Sequence, residues 1–144
     1  MANTYTQIHI QFVFAVKHRA ALIHNDWEIQ FHKYITGIAA NLQHKMLAIN
    51  GMPDHLHMFI GLHPTMSVSD VAEKVKASSS KWVNDHKLTG SHFNLQSGYG
   101  AFSYSKSQIG NVCRYIENQK KHHHKKSFLE EYREFLVKFG VEYD

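Results

Sequence analysis

From Ile8 to Val16 the chain alternates strictly: Ile8, Ile10, Phe12, Phe14 and Val16 fall on one side, His9, Gln11, Val13 and Ala15 on the other. A period of two marks a strand, here with one strongly apolar face that other elements must cover. A second alternating run, His55 to Leu62, sets Leu56, Met58, Ile60 and Leu62 against His55, His57 and Phe59. Two more strands are expected, Lys45 to Asn50 before the turn cluster Gly51-Met52-Pro53-Asp54, and Tyr99 to Tyr104.

Helices are expected between them. Asn25 or Asp26 can cap one from Trp27, with Ile29, Tyr34, Ile35, Ile38 and Leu42 near helical spacing. Ser67 caps a second through Val68, Val71, Val75 and Trp82, and Ser105 or Ser107 a third through Ile109, Val112, Cys113 and Ile116. Phe128 to Phe139 makes a last amphipathic helix.

The first six elements read strand, helix, strand, strand, helix, strand, the split βαβ pattern of a ferredoxin-like α+β fold. That fold is an antiparallel sheet with two helices on one face. The helix from Ser107 is the candidate to cover the other. With 144 residues, 43% of them hydrophobic, and no repeat or linker, one domain spanning 1–144 is expected. The single cysteine, Cys113, forbids an internal disulfide and suits a reducing cytoplasm. No apolar run is long enough to span a membrane. The first residues, Met1-Ala2-Asn3-Thr4-Tyr5, have no signal-peptide character.

Sixteen Lys and Arg face twelve Asp and Glu, a net +4, and the excess is local. Between Lys106 and Lys126 six basic residues, Lys106, Arg114, Lys120, Lys121, Lys125 and Lys126, meet one acid, Glu117, so this stretch carries +5 and the rest −1. A basic patch on a balanced domain is the footprint of a polyanion. A solvated helix face is the plainer alternative.

The thirteen histidines include one pair placed for chemistry. His55 and His57 point the same way, about 6–7 Å apart at Cα, so both reach one ion, and imidazole suits borderline divalent metals. A helix docked through Ile109, Val112, Cys113 and Ile116 presents Tyr115 and Gln119, four apart on one flank. Gln119 can then supply an oxygen ligand and Tyr115 a nucleophile. The bland readings are an idle histidine pair and a packing tyrosine. Tyr104 is the second candidate nucleophile. His122-His123-His124 reads as a polar helix end, and Cys113 as a small buried hydrophobe. Ser78-Ser79-Ser80-Lys81 continues a helix without an oxyanion feature, and Gly98-Tyr99-Gly100 lacks the parts of a phosphate loop.

Together these residues resemble a known family. His55-Leu56-His57 has the His–hydrophobic–His form, it follows Pro53-Asp54, and Tyr115 and Gln119 lie on a late helix. The chain resembles the single-tyrosine HUH transposases of bacterial and archaeal insertion sequences, and their relatives associated with genomic repeats, over nearly its whole length. The resemblance implies His55 and His57 as metal ligands, Gln119 as the third, and Tyr115 as the nucleophile that forms a covalent 5′-phosphotyrosine on single-stranded DNA. It implies hairpin-bearing DNA ends, and a homodimer in which the helix bearing Tyr115 serves the partner's histidines. Two imidazoles and an amide oxygen accommodate Mg2+ or Mn2+. Two other classes stay open: a non-catalytic single-stranded nucleic-acid-binding module, and a metal-dependent phosphoesterase with no need of Tyr115. A domesticated relative that processes genomic repeats is a further variant.

Overall fold

The computed structural model describes residues 4–122 and 126–143. Four strands, β1 (His9–Ala15), β2 (Lys45–Met52), β3 (His55–Gly61) and β4 (Gly100–Tyr104), form one sheet in the order β2-β3-β1-β4. Every neighbouring pair is antiparallel. This is the ferredoxin-like α+β arrangement expected from the alternation.

Helices α1 (Asn25–Asn41) and α2 (Val68–Asp85) cover one face. Ile10, Phe12 and Phe14 of β1 and Leu56, Met58 and Ile60 of β3 meet Trp27, Phe31 and Ile35 of α1 and Val71, Val75 and Val83 of α2 there. The buried stripe of α1 is Trp27, Phe31, Ile35 and Ala39. The stripe expected through Ile29 and Tyr34 is therefore corrected: Ile29 is 62% exposed and Tyr34 38%. Trp27 is the reason, because its ring packs edge-on against Phe31 and Phe93 and sets the rotation of the helix. Ser67 caps α2 as expected, its Oγ accepting from the Asp70 amide at 3.1 Å. In α1 the cap is His24, one residue before the expected pair, its Nδ1 accepting from the Asp26 amide.

The other face is covered by two helical segments, not one. Ser105 opens a 3-10 turn, Lys106–Gln108, that runs into α3 (Ile109–Glu117), followed by the four-residue α4 (Gln119–His122). Beside them lies α5 (Phe128–Lys138), capped by Ser127. Val112 and Ile116 of α3 pack on Ala48 and Phe59, while Phe128 and Phe135 of α5 pack on Val13, Ala15 and Phe102. Strand β1 is thus buried on both faces along its whole length.

Strand β2 runs two residues further than expected, so Pro53-Asp54 alone turns the chain into β3. Gly51 permits this closure. A Cβ there would lie 2.2 Å from the His55 carbonyl oxygen, closer than any side chain tolerates. Across this hairpin Asn50 pairs with His57, and its side-chain amide donates to the carbonyls of Ile116 and Glu117 at 3.1 and 3.2 Å. The C-terminal carbonyls of α3 are thereby satisfied from the strand next to the histidines. No helix among the described residues is long and apolar enough to cross a membrane.

Candidate metal and nucleophile site

Strand β3 carries His55 and His57 on the face covered by α3 and α5. Both imidazoles are fully buried, with ring centroids 5.3 Å apart and planes at 80°. The strand face is the expected one, but α5 closes over it.

Each ring is held from outside through Nδ1. His55 Nδ1 donates to Asp54 Oδ1 at 2.7 Å, and His57 Nδ1 to Gln11 Oε1 at 2.8 Å. Gln11 is oriented in turn, its amide donating to the Tyr104 hydroxyl at 3.1 Å. With the Nδ1 protons spent outwards, both Nε2 atoms face inwards, as metal-binding histidines require.

Two oxygens meet them. Gln119 Oε1 lies 3.2 Å from His55 Nε2, and Glu131 Oε1 lies 2.9 Å from His57 Nε2 and 3.5 Å from His55 Nε2. Glu131 Oε2 accepts from the Gln119 amide at 3.0 Å and from the Tyr115 hydroxyl. Imidazole nitrogens and acceptor oxygens facing one another need a positive charge between them, either a shared proton on His57 or a cation. One ligand atom from each of His55, His57 and Glu131 can be chosen so that all lie within 4.8 Å of one another, and the residues therefore fit a divalent ion. The donor set is nitrogen and oxygen without thiolate, which accommodates borderline and hard divalent ions.

Tyr115 is half-buried, its ring 6.0 Å from that of His57 in the same chain. Burial pushes its phenol well above the usual tyrosine range, and the hydrogen bond to Glu131 and that carboxylate's charge push it further. For Glu131 burial acts upwards, but the hydrogen bond and charge of His57, with the donors from Tyr115 and Gln119, outweigh it and hold the carboxyl well below its usual range. At rest the proton therefore stays on Tyr115. A cleft of about 380 Å3 leads to this pair, lined by Gln11, Tyr104, Tyr115, Glu131 and Lys138 among others. Tyr104 also lines it, but burial pushes its phenol up to about 12, against a smaller opposing effect of the Gln11 hydrogen bond, and its hydroxyl accepts from the Gln11 amide.

The structure thus brings His55, His57, Tyr115 and Gln119 together as expected. The helix breaks at Asn118, so Tyr115 and Gln119 stand on successive segments and still face one site. Glu131 and Gln11 were not expected. Glu131 sits at helical spacing between Phe128 and Phe135, an acid inside an apolar stripe, which is the signal that marks it. Gln11 interrupts the second face of β1 in the same way.

The basic residues are less uniform than their sequence window. Lys106 and Lys121 are exposed. Arg114 donates to Asn111 on its own helix. Lys120 pairs with Glu28 at 2.7 Å and also donates to the Gly51 carbonyl, and Lys126 pairs with Glu134. Lys125 and most of the His122-His123-His124 run lie outside the described residues. Cys113 is half-buried on α3, against the Leu47 carbonyl.

Residues 4–119 match the family described as transposase, IS200-like. That stretch includes both histidines, Tyr115 and Gln119, and stops before α5. No curated protein matches the chain. Among solved structures, a candidate transposase from Deinococcus radiodurans R1 superposes with a TM-score of 0.64 at 19% identity, covering 83% of this chain and 96% of that one. A REP-associated tyrosine transposase bound to a REP hairpin gives 0.63 at 12% identity, covering 85% and 73%. At these identities the likeness is one of fold.

Proposed function

This chain belongs to the IS200-like transposase family, and from that membership we propose that it cuts and rejoins single-stranded DNA through Tyr115. The phenolic oxygen attacks a backbone phosphorus, the bond to the 3′-oxygen breaks, and a 5′-phosphotyrosine and a free 3′-hydroxyl result. A 3′-hydroxyl attacking that linkage reverses the step, so strands are exchanged with no external energy source.

The observation that carries this reading is the convergence of His55 Nε2, His57 Nε2 and Gln119 Oε1 beside the Tyr115 hydroxyl. His55, His57 and Gln119, joined by Glu131, would hold a divalent cation. Mg2+ or Mn2+ bound there supplies positive charge that polarises the phosphate and offsets charge developing on its oxygens. The chain's own residues do the rest. Asp54 and Gln11 fix the imidazoles, Glu131 orients the phenol, and the cleft beside Tyr115 admits the strand. The basic residues Lys106, Arg114, Lys120, Lys121, Lys125 and Lys126 are assigned to the DNA backbone. Hairpin-bearing ends are the expected substrate class, and the cytoplasm, where chromosomal DNA lies, the place of action.

Incubation with labelled single-stranded DNA and Mn2+, followed by a denaturing gel, tests the reading. A covalent protein–DNA band that Tyr115→Phe abolishes is expected. Retention without a covalent band would instead fit a binding module, and turnover surviving Tyr115→Phe a phosphoesterase.

The homodimer implied by the family resemblance arises if two chains exchange the segment bearing Tyr115 and Gln119. Mixing His57→Ala with Tyr115→Phe chains tests this. Exchange restores one complete site and some adduct. Sites built within single chains stay inactive in the mixture.

A further inference from the structure

A second group of cations without an acidic partner lies outside the Lys106–Lys126 window. Lys17 and Arg19 from one turn after β1, Lys76 from α2 and Arg133 from α5 line two grooves that meet along Gln96–Gly98. The larger, about 580 Å3, has Arg19 and Arg133 at its rim and ring surface from Tyr99, Phe128 and Tyr132. The smaller, about 350 Å3, is lined by Lys17, His18 and Lys76. No carboxylate lines either groove. None of the four cations joins an ion pair among the described residues, whereas Lys120 and Lys126 do.

Two further features shape this surface. His18 and Arg19 are consecutive non-glycine residues in the left-handed region, with φ of 61° and 54°. That is a costly backbone for side chains with a Cβ, and it persists only where the surroundings enforce it. Here they do: Arg19 N donates to Val16 O at 2.7 Å, Lys17 N to Asn94 O at 2.8 Å, and Val16 N to Asp54 O at 2.9 Å. This strained turn leaves Arg19 on the groove. The groove's aromatic wall is also continuous with the site, because Phe128 stacks on His55 at 4.4 Å and Tyr132 stacks on Phe128 at 5.5 Å.

We propose that these joined grooves hold the single-stranded DNA flanking the phosphate that is cut, an assignment that rests on the transposase reading above. Lys17, Arg19, Lys76 and Arg133 meet backbone phosphates, and Tyr99 and Tyr132 offer ring surface to bases. Cations interleaved with aromatics suit a single strand, whose bases are free to stack on side chains as those of a duplex are not.

The test is fluorescence anisotropy of a labelled single-stranded 20-mer across a salt series, beside the covalent-adduct assay. The variants are Arg19→Ala/Arg133→Ala and the fourfold variant adding Lys17→Ala and Lys76→Ala. Each lost phosphate contact flattens the slope of log affinity against log salt by about 0.7. The double variant should therefore lose about 1.4 and the fourfold about 3. An unchanged slope overturns the groove assignment while an adduct from the unaltered chain keeps the transposase reading. A flattened slope with no adduct from the unaltered chain does the reverse. Equal affinity for a duplex of the same sequence, with the same loss of slope, overturns the single-strand assignment. If circular dichroism shows the fourfold variant unfolded, Arg133→Ala, on the exposed side of α5, carries the test with an expected change of about 0.7.

Discussion

Tyr115 donates its phenolic hydrogen to Glu131, sixteen positions later and on another helix, while the other oxygen of the same carboxylate faces His57. One side chain thus touches both the Tyr115 phenol and the His57 imidazole. It lies on α5, beyond the stretch that matches the transposase family. The tyrosine is stored as a neutral phenol, and whatever neutralises Glu131 also frees it to ionise.

Replacing Glu131 with Gln keeps the shape and removes the charge. Two influences that raise the Tyr115 phenol weaken together, and burial remains. The Tyr115 ionisation should move down in pH, read as the ultraviolet difference between Glu131→Gln and Glu131→Gln/Tyr115→Phe. An unmoved transition would show that burial alone sets this phenol.

Asp54 and Gln11 touch the imidazoles only on the side away from the donors. Asp54→Ala and Gln11→Ala should each weaken Mn2+ binding by about tenfold to a hundredfold, by calorimetry without DNA. His57→Ala should abolish tight binding and also destabilise the chain by about 3 kcal/mol, because it strands the buried Glu131 carboxylate. Full stability in that variant would place Glu131 in water.

The depressed Glu131 carboxyl also makes a prediction in acid. The unfolded chain, with an ordinary glutamate pKa of about 4.3, takes up this proton at a pH where the folded chain does not. This part of the stability is thus complete at neutral pH and lost as pH falls through the carboxylate range towards the lower folded value. Urea midpoints between pH 7 and pH 3 should fall less steeply for Glu131→Gln than for the unaltered chain. Parallel curves would contradict the buried ion pair.

Gly51→Ala should destabilise the hairpin by about 1–3 kcal/mol, since the new methyl meets the His55 carbonyl oxygen. Because that carbonyl belongs to His55, one of the proposed ligands, Mn2+ affinity should fall with it. A variant with unchanged urea midpoint and metal titration would show that the turn relaxes without cost.

The sheet was legible because β1 and β3 alternate without error, and faces follow from period two alone. His55, His57, Tyr115 and Gln119 were legible because their spacing survives folding, even across the helix break at Asn118. The rotation of α1 was not, since Trp27 and Phe31 compete with Ile29 and Tyr34 for the same apolar pattern, and only contact with Phe93 decides. Glu131 was hidden for another reason. A carboxylate in a helix normally reads as a solvent residue, and its burial depends on α5 crossing the sheet opposite two histidines more than seventy residues away. The +5 window was legible as charge, but its pairing with Glu28 and Glu134 depends on tertiary contact.

Asn50 sits directly across from His57 on β2 and grips the end of the helix that carries Tyr115. The aim of Tyr115 is therefore referenced to the strand beside His55 and His57, as a tool is clamped to the bench that holds the work. Small motions of the hairpin carry both parts along, so their mutual alignment survives distortions that would blur a site assembled from independent loops. Passing the helix to a second chain would mean unfastening it from one Asn50 and seating it on another, which makes that asparagine the docking mark for either arrangement.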